Sequence, residues 1–96
     1  MPGTRVAAGI VVEKNPAPKR LEELKARTWD IWEKEPSTFD WYYDEQETCY
    51  FLEGDVTVKT PEGEVHIQKG DLVTFPKGLR CTWVVRKGVR KHYRFG

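Results

Sequence analysis

The chain has 96 residues, of which 39% are hydrophobic and 32% charged, and these values indicate a single globular domain with one modest core. Its formal net charge is +1, from 16 basic and 15 acidic residues, so nucleic acid is not expected as a partner. No apolar run approaches the ~20 residues of a membrane span, and no membrane partner is expected. Two cysteines are too few for a disulfide scaffold, which predicts a cytoplasmic protein with reduced thiols and leaves an organelle open.

The first part of the chain is predicted to carry one strand and one helix. Residues 1–9 are weakly patterned, and we expect a loose lead-in. Residues 10–12 are a β-branched run, which predicts a short strand that ends before the following prolines. Pro18 suits the first position of a helix, and Leu21 and Leu24 give that helix one apolar face. We expect this short helix to lie on the outside of the strands.

From residue 28 onward, apolar and polar residues alternate with the period of β-strands. Turn signals separate the runs, and those at Gly54-Asp55 and Lys87-Gly88 are predicted to end one strand and begin the next. Roughly eight short strands at regular spacing favour an all-β sandwich or barrel. We therefore predict one domain over residues 1–96, with its core in residues 28–96.

Two stretches resemble the motifs of the cupin superfamily. Glu47-x6-Gly54 resembles the tail of the first cupin motif, and Gly70-x5-Pro76-x-Gly78-x2-Cys81 resembles the second. The sequence of these two stretches is similar to that of small single-domain cupins of the ethanolamine-utilisation type. This group includes ureidoglycine aminohydrolase-like domains. The resemblance implies a jelly-roll β-barrel of two antiparallel sheets, here with one short N-terminal helix.

The resemblance also implies where a metal-dependent cupin would hold its ion: two histidines and a glutamate from the first motif, and a histidine from the second. Glu47 keeps the glutamate, but Cys81 replaces the second-motif histidine. We therefore expect no metal cofactor. If a divalent ion does bind, its expected donors are Glu47, Cys81 and Asp40. The first-motif histidine places hold Asp40 and Tyr42, or Trp41 and Tyr43 with the shorter spacing.

Strand alternation predicts which side chains share the barrel interior. If Glu47 faces inward, so do Cys49 and Phe51, and if Cys81 faces inward, so does Trp83. The interior then holds one carboxylate, two thiols and several rings, which is typical of a small-molecule pocket. A disulfide between Cys49 and Cys81 is conceivable inside one barrel, but reduced thiols are expected.

On the neighbouring aromatic strand two alternatives stay open. Either Asp40 and Tyr42 line the cavity, or Phe39, Trp41 and Tyr43 do. The predicted ligand-binding residues are Asp40, Trp41, Tyr42, Glu47, Cys49, Cys81 and Trp83.

A basic run covers residues 86–94 near the end of the chain. We expect its basic residues to face solvent and its apolar residues to face the core. Lys91 or His92 could also reach a ligand carboxylate at the barrel mouth.

These observations support three functional hypotheses. The first is a small cupin that binds a small polar or anionic metabolite in its barrel without the usual cupin metal, with Glu47 as the main polar contact. The second, by family analogy, is a hydrolase or related enzyme for a small nitrogenous metabolite, with Glu47 as general base and Cys81 as an activated thiol or metal ligand. The third is a non-catalytic interaction module that forms a homodimer, with Trp32 and Tyr50 on its exterior.

Overall fold

The structure, a computed structural model, describes residues 3–96 and confirms the predicted all-β barrel with one short N-terminal helix. Helix α1 spans Pro18–Leu24, and a 3-10 turn spans Ala26–Thr28. The strands are β1 Gly3–Ala7, β2 Ile10–Lys14, β3 Asp30–Lys34, β4 Ser37–Tyr42, β5 Glu47–Thr60, β6 Gly63–Gln68, β7 Leu72–Phe75 and β8 Arg80–Phe95.

The two long strands, β5 and β8, hold the barrel together. They pair antiparallel from Glu47 opposite Phe95 to Lys59 opposite Thr82. The first part of β5 also pairs with β7, and its second part pairs with β6. In the same way β8 pairs with β4 near its start and with β3 near its end. Each long strand therefore pairs with three others, and all eight strands form one antiparallel sheet that surrounds a single apolar core.

Two predicted turns are wrong, because each lies inside a long strand. Gly54-Asp55 falls within β5 and Lys87-Gly88 within β8. The register between the two strands shifts at Phe51 to Val56, so that β5 bulges where a turn was predicted. Gly54 has a φ of +129°, and a Cβ at this position would lie 3.1 Å from the Cα of Val89. Gly54 is therefore needed because two strands approach each other closely there. Glycine is also used in turns, so the sequence alone does not distinguish the two roles.

The beginning of the chain is also more regular than predicted. Residues 3–7 form β1, which pairs antiparallel with β2, so the predicted lead-in is wrong there; residues 1 and 2 lie outside the described range. All five residues of β1 are exposed. A strand that buries neither face has no alternation of apolar and polar residues, which explains the weak sequence pattern.

Helix α1 lies on the outside of the barrel, as predicted. Leu21 is buried with Ala26 and Leu72, and Leu24 packs against them. Leu72 belongs to this outer cluster, whereas its neighbour Val73 belongs to the barrel core. Among residues 3–96, no helix is long and apolar enough to cross a membrane.

Candidate functional site

A cavity of about 150 Å³ opens from the barrel core between β3, β4 and the paired ends of β5 and β8. Trp41 and Phe95, which are 45% and 49% exposed, stand at its mouth. Nine residues line it, and two of them, Glu47 and Lys91, are charged. The other seven are aromatic: Trp32, Phe39, Trp41, Tyr43, Trp83, Tyr93 and Phe95.

Glu47 and Lys91 form a buried ion pair at the inner end of the cavity. The ammonium group of Lys91 donates a hydrogen bond of 3.0 Å to Oε2 of Glu47 and one of 3.1 Å to Sγ of Cys49. The thiol of Cys49 donates to the same Oε2 at 3.2 Å. Their side chains are almost completely removed from solvent. Buried charges are tolerated when they are paired and hydrogen-bonded, and this triangle meets both conditions.

Aromatic rings surround the ammonium group of Lys91. It lies 4.9 Å from the ring centroids of both Trp32 and Trp83, and 5.8 and 5.9 Å from those of Phe51 and Phe75. These distances allow cation–π attraction, which helps to keep the charge buried. Burial lowers the pKa of Lys91, but Cys49 and Glu47 outweigh it, and the net shift raises the pKa. Lys91 is therefore a fixed positive charge.

The thiols and the inner tyrosine are kept in their protonated forms. Burial raises the pKa of Cys49 to about 12, partly opposed by Lys91. Burial likewise raises the pKa of Cys81 to about 11. The pKa of Tyr43 is raised as well, chiefly by burial. Because the thiolate is the nucleophilic form, neither cysteine is activated near neutral pH.

Two residues of the cavity wall carry a buried donor without a partner. Within the part of the chain that the structure describes, Oη of Tyr43 and Nε1 of Trp83 have no hydrogen-bond partner. Both residues are 2% exposed, and both line the cavity. A buried polar group without a partner is destabilising and calls for a ligand or an ordered water.

The structure decides between the two alternatives for β4. Phe39, Trp41 and Tyr43 line the cavity, together with Glu47 and Trp83. Cys49 contacts Glu47 and Lys91 from behind the cavity wall. Of the predicted ligand-binding residues, the fold therefore brings four together at this cavity: Trp41, Glu47, Cys49 and Trp83.

The remaining predicted residues lie elsewhere, and their placement corrects the prediction. Asp40 and Tyr42 project to the other face of β4, because side chains alternate along a strand. Asp40 accepts a hydrogen bond of 2.8 Å from Oγ1 of Thr82, and Arg80 lies 4.9 Å from the ring of Tyr42. Cys81 is buried, and its thiol donates to the carbonyl of Trp41. These three predicted residues line a separate, shallow depression of about 610 Å³.

The residues present do not fit the divalent ion of a metal-dependent cupin. Among residues 3–96, no three His, Cys, Asp or Glu side chains form a group that could hold a metal. The donors considered from the sequence, Glu47, Cys81 and Asp40, are not gathered at one point, since Asp40 faces away from the cavity. Glu47 is instead neutralised by Lys91 at 3.0 Å.

Lys91 is the main residue that sequence reasoning placed wrongly, because its charge suggested solvent or the barrel mouth. It lies two residues from Val89 and from Tyr93, on the face of β8 that packs into the core. Strict alternation would have placed it inside. Its neighbour His92 is buried on the opposite face, where Nδ1 lies 2.9 Å from the carbonyl oxygen of Trp29, so it does not reach the mouth.

Two residues predicted on the exterior are also packed. The ring of Trp32 lies 5.8 Å from that of Trp83 and lines the cavity. Tyr50 packs against the cluster of Leu21 beneath the helix. Both side chains are half-buried, and a homodimer contact through them stays a prediction.

The antiparallel barrel, with one motif stretch in β5 and the other running from the end of β6 into β8, is the fold expected of a cupin. A family model described as the EutQ-like cupin domain matches residues 21–93, and the chain belongs to this family. The resemblance inferred from the motifs is thereby confirmed.

Solved structures support the same fold. The chain is 54% identical to a DUF861 family protein from Thermotoga maritima, with a TM-score of 0.84 over 98% of this chain and 100% of that one. The EutQ protein of Clostridium difficile is 17% identical, with a TM-score of 0.62 over 98% of this chain and 64% of that one. A cupin-2 domain containing protein from Shewanella frigidimarina is 12% identical, with a TM-score of 0.56 over 97% and 76%. A comparison with curated proteins gives no match.

Proposed function

We propose that this cupin binds a small polar or anionic metabolite in its barrel cavity, without the usual cupin metal. The observation that carries the proposal is an aromatic cavity whose wall includes four residues with buried polar groups. Glu47 and Lys91 supply a carboxylate and an ammonium group, and Tyr43 and Trp83 supply two buried donors without partners. A few convergent polar groups in a mostly apolar wall are typical of small-molecule sites.

The size of the cavity limits the ligand. Its volume is about 150 Å³. A cavity of about 150 Å³ is large enough for benzene, whereas pockets for drug-sized molecules measure about 300–1,000 Å³. The proposed ligand is therefore a compound of roughly benzene size.

The protonated state of the thiols favours a binding function over a hydrolase function. A hydrolase that used Cys81 as nucleophile would need a thiolate, and the pKa of Cys81 is raised to about 11. Glu47, the general base of that hypothesis, is already hydrogen-bonded to Lys91 and Cys49. A binding role needs neither group to react.

The proposal is tested by a thermal-shift screen of small neutral, anionic and cationic compounds, run with and without a chelator. Hits are then titrated against Tyr43→Phe, which removes one unpartnered donor, and against Tyr42→Phe, the matched change on the outer face. We expect Tyr43→Phe to weaken binding roughly tenfold, the value of one hydrogen bond, and Tyr42→Phe to leave it unchanged. An equal effect of both variants, or hits that disappear with the chelator, would contradict the proposal.

A further inference from the structure

We propose that the ligand of this cavity is an uncharged polar compound with a hydrogen-bond donor, such as an amide, and that the Glu47–Lys91 pair makes the site reject ions. This inference rests on the proposed function and decides between its two ligand classes, polar and anionic.

The charge of the site favours an uncharged ligand. Of the residues that line the cavity, Glu47 and Lys91 alone carry charge, and their charged atoms are 3.0 Å apart. The thiol of Cys49, which touches both, is neutral. The site therefore has a net charge of zero. An ionic ligand would add one charge with no group left to neutralise it, which is costly in a buried site.

Proximity to Lys91 does not make the binding of an anion favourable. Coulomb energy falls with the inverse of distance, so a ligand carboxylate near the ammonium group of Lys91 is repelled by the carboxylate of Glu47 at a similar distance. Lys91 also already donates to Oε2 of Glu47 and to Sγ of Cys49, and four aromatic rings surround it. Its charge is satisfied without a ligand.

One carboxylate oxygen of Glu47 is left open to a ligand. Among residues 3–96, both side-chain hydrogen bonds that this carboxylate accepts, from Cys49 and from Lys91, end on Oε2. Oε1 can therefore accept a hydrogen bond from a ligand, and an amide supplies an N–H donor without carrying a charge.

The test uses three probes that share a ring and a planar substituent and differ in charge: benzamide, benzoate and benzamidinium. Their affinities for the wild-type protein are measured by calorimetry near neutral pH. We expect benzamide to bind at least roughly tenfold more tightly than either ion, because each ion leaves one buried charge unpaired.

Variants of the pair should change this preference in opposite directions. Glu47→Gln leaves Lys91 unpaired, and benzoate should become the tightest of the three probes. Lys91→Met leaves Glu47 unpaired, and benzamidinium should become the tightest. The double variant restores a neutral site, so benzamide should lead again even if a single variant does not fold.

Lys59 and Glu64 provide the matched control, because they form an exposed ion pair at 3.8 Å. Lys59→Met and Glu64→Gln should leave the wild-type order of the probes unchanged. Tighter binding of benzoate than of benzamide to the wild-type protein would overturn the inference and leave the proposed function standing. If none of the three probes binds at millimolar concentration but an ionic compound of the thermal-shift screen does, the inference fails and the proposed function stands. If no compound of that screen binds, the proposed function itself fails.

Discussion

The barrel has two hollows, and the smaller one carries the candidate site. The outer depression is about four times larger, at about 610 Å³ against about 150 Å³. Its polar groups, among them Asp40 and Arg80, are exposed or partly exposed and are solvated or paired at the surface. The inner cavity instead holds a buried ion pair and two buried donors without partners. The volume of a hollow is therefore a poor guide to where a ligand binds. Buried polar groups without hydrogen-bond partners are the better indication.

The same contrast holds for the ion pairs of the two regions. Lys91 and Glu47 are 3.0 Å apart with side chains 4% and 5% exposed, and Lys59 and Glu64 are 3.8 Å apart with side chains 53% and 62% exposed. Water screens the second pair but not the first. Both pairs join a lysine to a glutamate. The difference between the losses in free energy of unfolding caused by equivalent substitutions at the two pairs therefore measures the effect of burial.

The largest effect is expected for Lys91→Met. It leaves the carboxylate of Glu47 buried without a counter-charge, which should lower the free energy of unfolding by about 3–5 kcal/mol. Urea denaturation of the wild-type protein and the variant measures the change.

Two further variants test whether burial causes that loss. Lys59→Met, at the exposed pair, should change stability by less than about 0.5 kcal/mol. The double variant Lys91→Met/Glu47→Gln should recover most of the loss, because no buried charge remains unpaired. Equal losses for Lys91→Met and Lys59→Met would remove the distinction between the two pairs.

The next effect is a loss of stability at alkaline pH. The raised pKa values of Cys49 (about 12), Cys81 (about 11), Tyr43 and Lys91 mean that the folded protein holds protons which the unfolded chain releases. Stability from these groups is complete below the unfolded pKa values, about 8.5 for a thiol, and is lost as the pH rises through the folded values. We expect a decrease on the order of 2–3 kcal/mol between about pH 8 and pH 11.

The two thiols show how much of the alkaline loss of stability comes from the inner cavity and how much from the outer depression. Urea denaturation at each pH is compared for Cys49→Ala and Cys81→Ala. The larger shift belongs to the inner thiol, so Cys49→Ala should flatten the alkaline decrease more than Cys81→Ala does. A flat profile for the wild-type protein would show that the inner groups are not held protonated by burial.

The sequence predicted the fold and most of the inner wall. The corner from Gly70 to Cys81 was readable because Pro76 and Gly78 have local roles: Gly78 has a φ of +86°, a conformation that glycine adopts readily. Glu47 and Cys49 were placed inward by alternation alone, which works wherever one face of a strand is buried.

What could not be predicted depends on long-range pairing. Lys91 is buried because β8 pairs with β5 in a register that sets it opposite Phe51, beside Glu47 and Cys49. A lysine in a basic run resembles a surface residue until that partner strand is known. The choice between the two faces of β4 likewise needed the barrel, because aromatic residues occupy both faces: Tyr42 lies outside and Tyr43 inside.

A smaller effect separates those two neighbouring tyrosines. Tyr43→Phe removes a buried hydroxyl that has no partner among the described residues, so it should raise the free energy of unfolding of the ligand-free protein by about 1 kcal/mol. Tyr42→Phe, at a side chain that is 49% exposed, should be neutral within about 0.5 kcal/mol. A destabilised Tyr43→Phe would show that the hydroxyl is satisfied in the ligand-free protein, for instance by an ordered water.

The smallest effect is expected at the outer depression itself. Asp40→Asn keeps the size of the side chain and an acceptor for the 2.8 Å hydrogen bond from Oγ1 of Thr82, but removes the charge. Because Asp40 is exposed, water compensates for the weakened hydrogen bond. The free energy of unfolding should therefore shift by less than about 0.5 kcal/mol. Denaturation and benzamide titration of the same protein check both properties. If Asp40→Asn altered ligand affinity more than Tyr43→Phe did, the larger and more open hollow would be the binding site, and the buried polarity of the inner cavity would need a structural explanation.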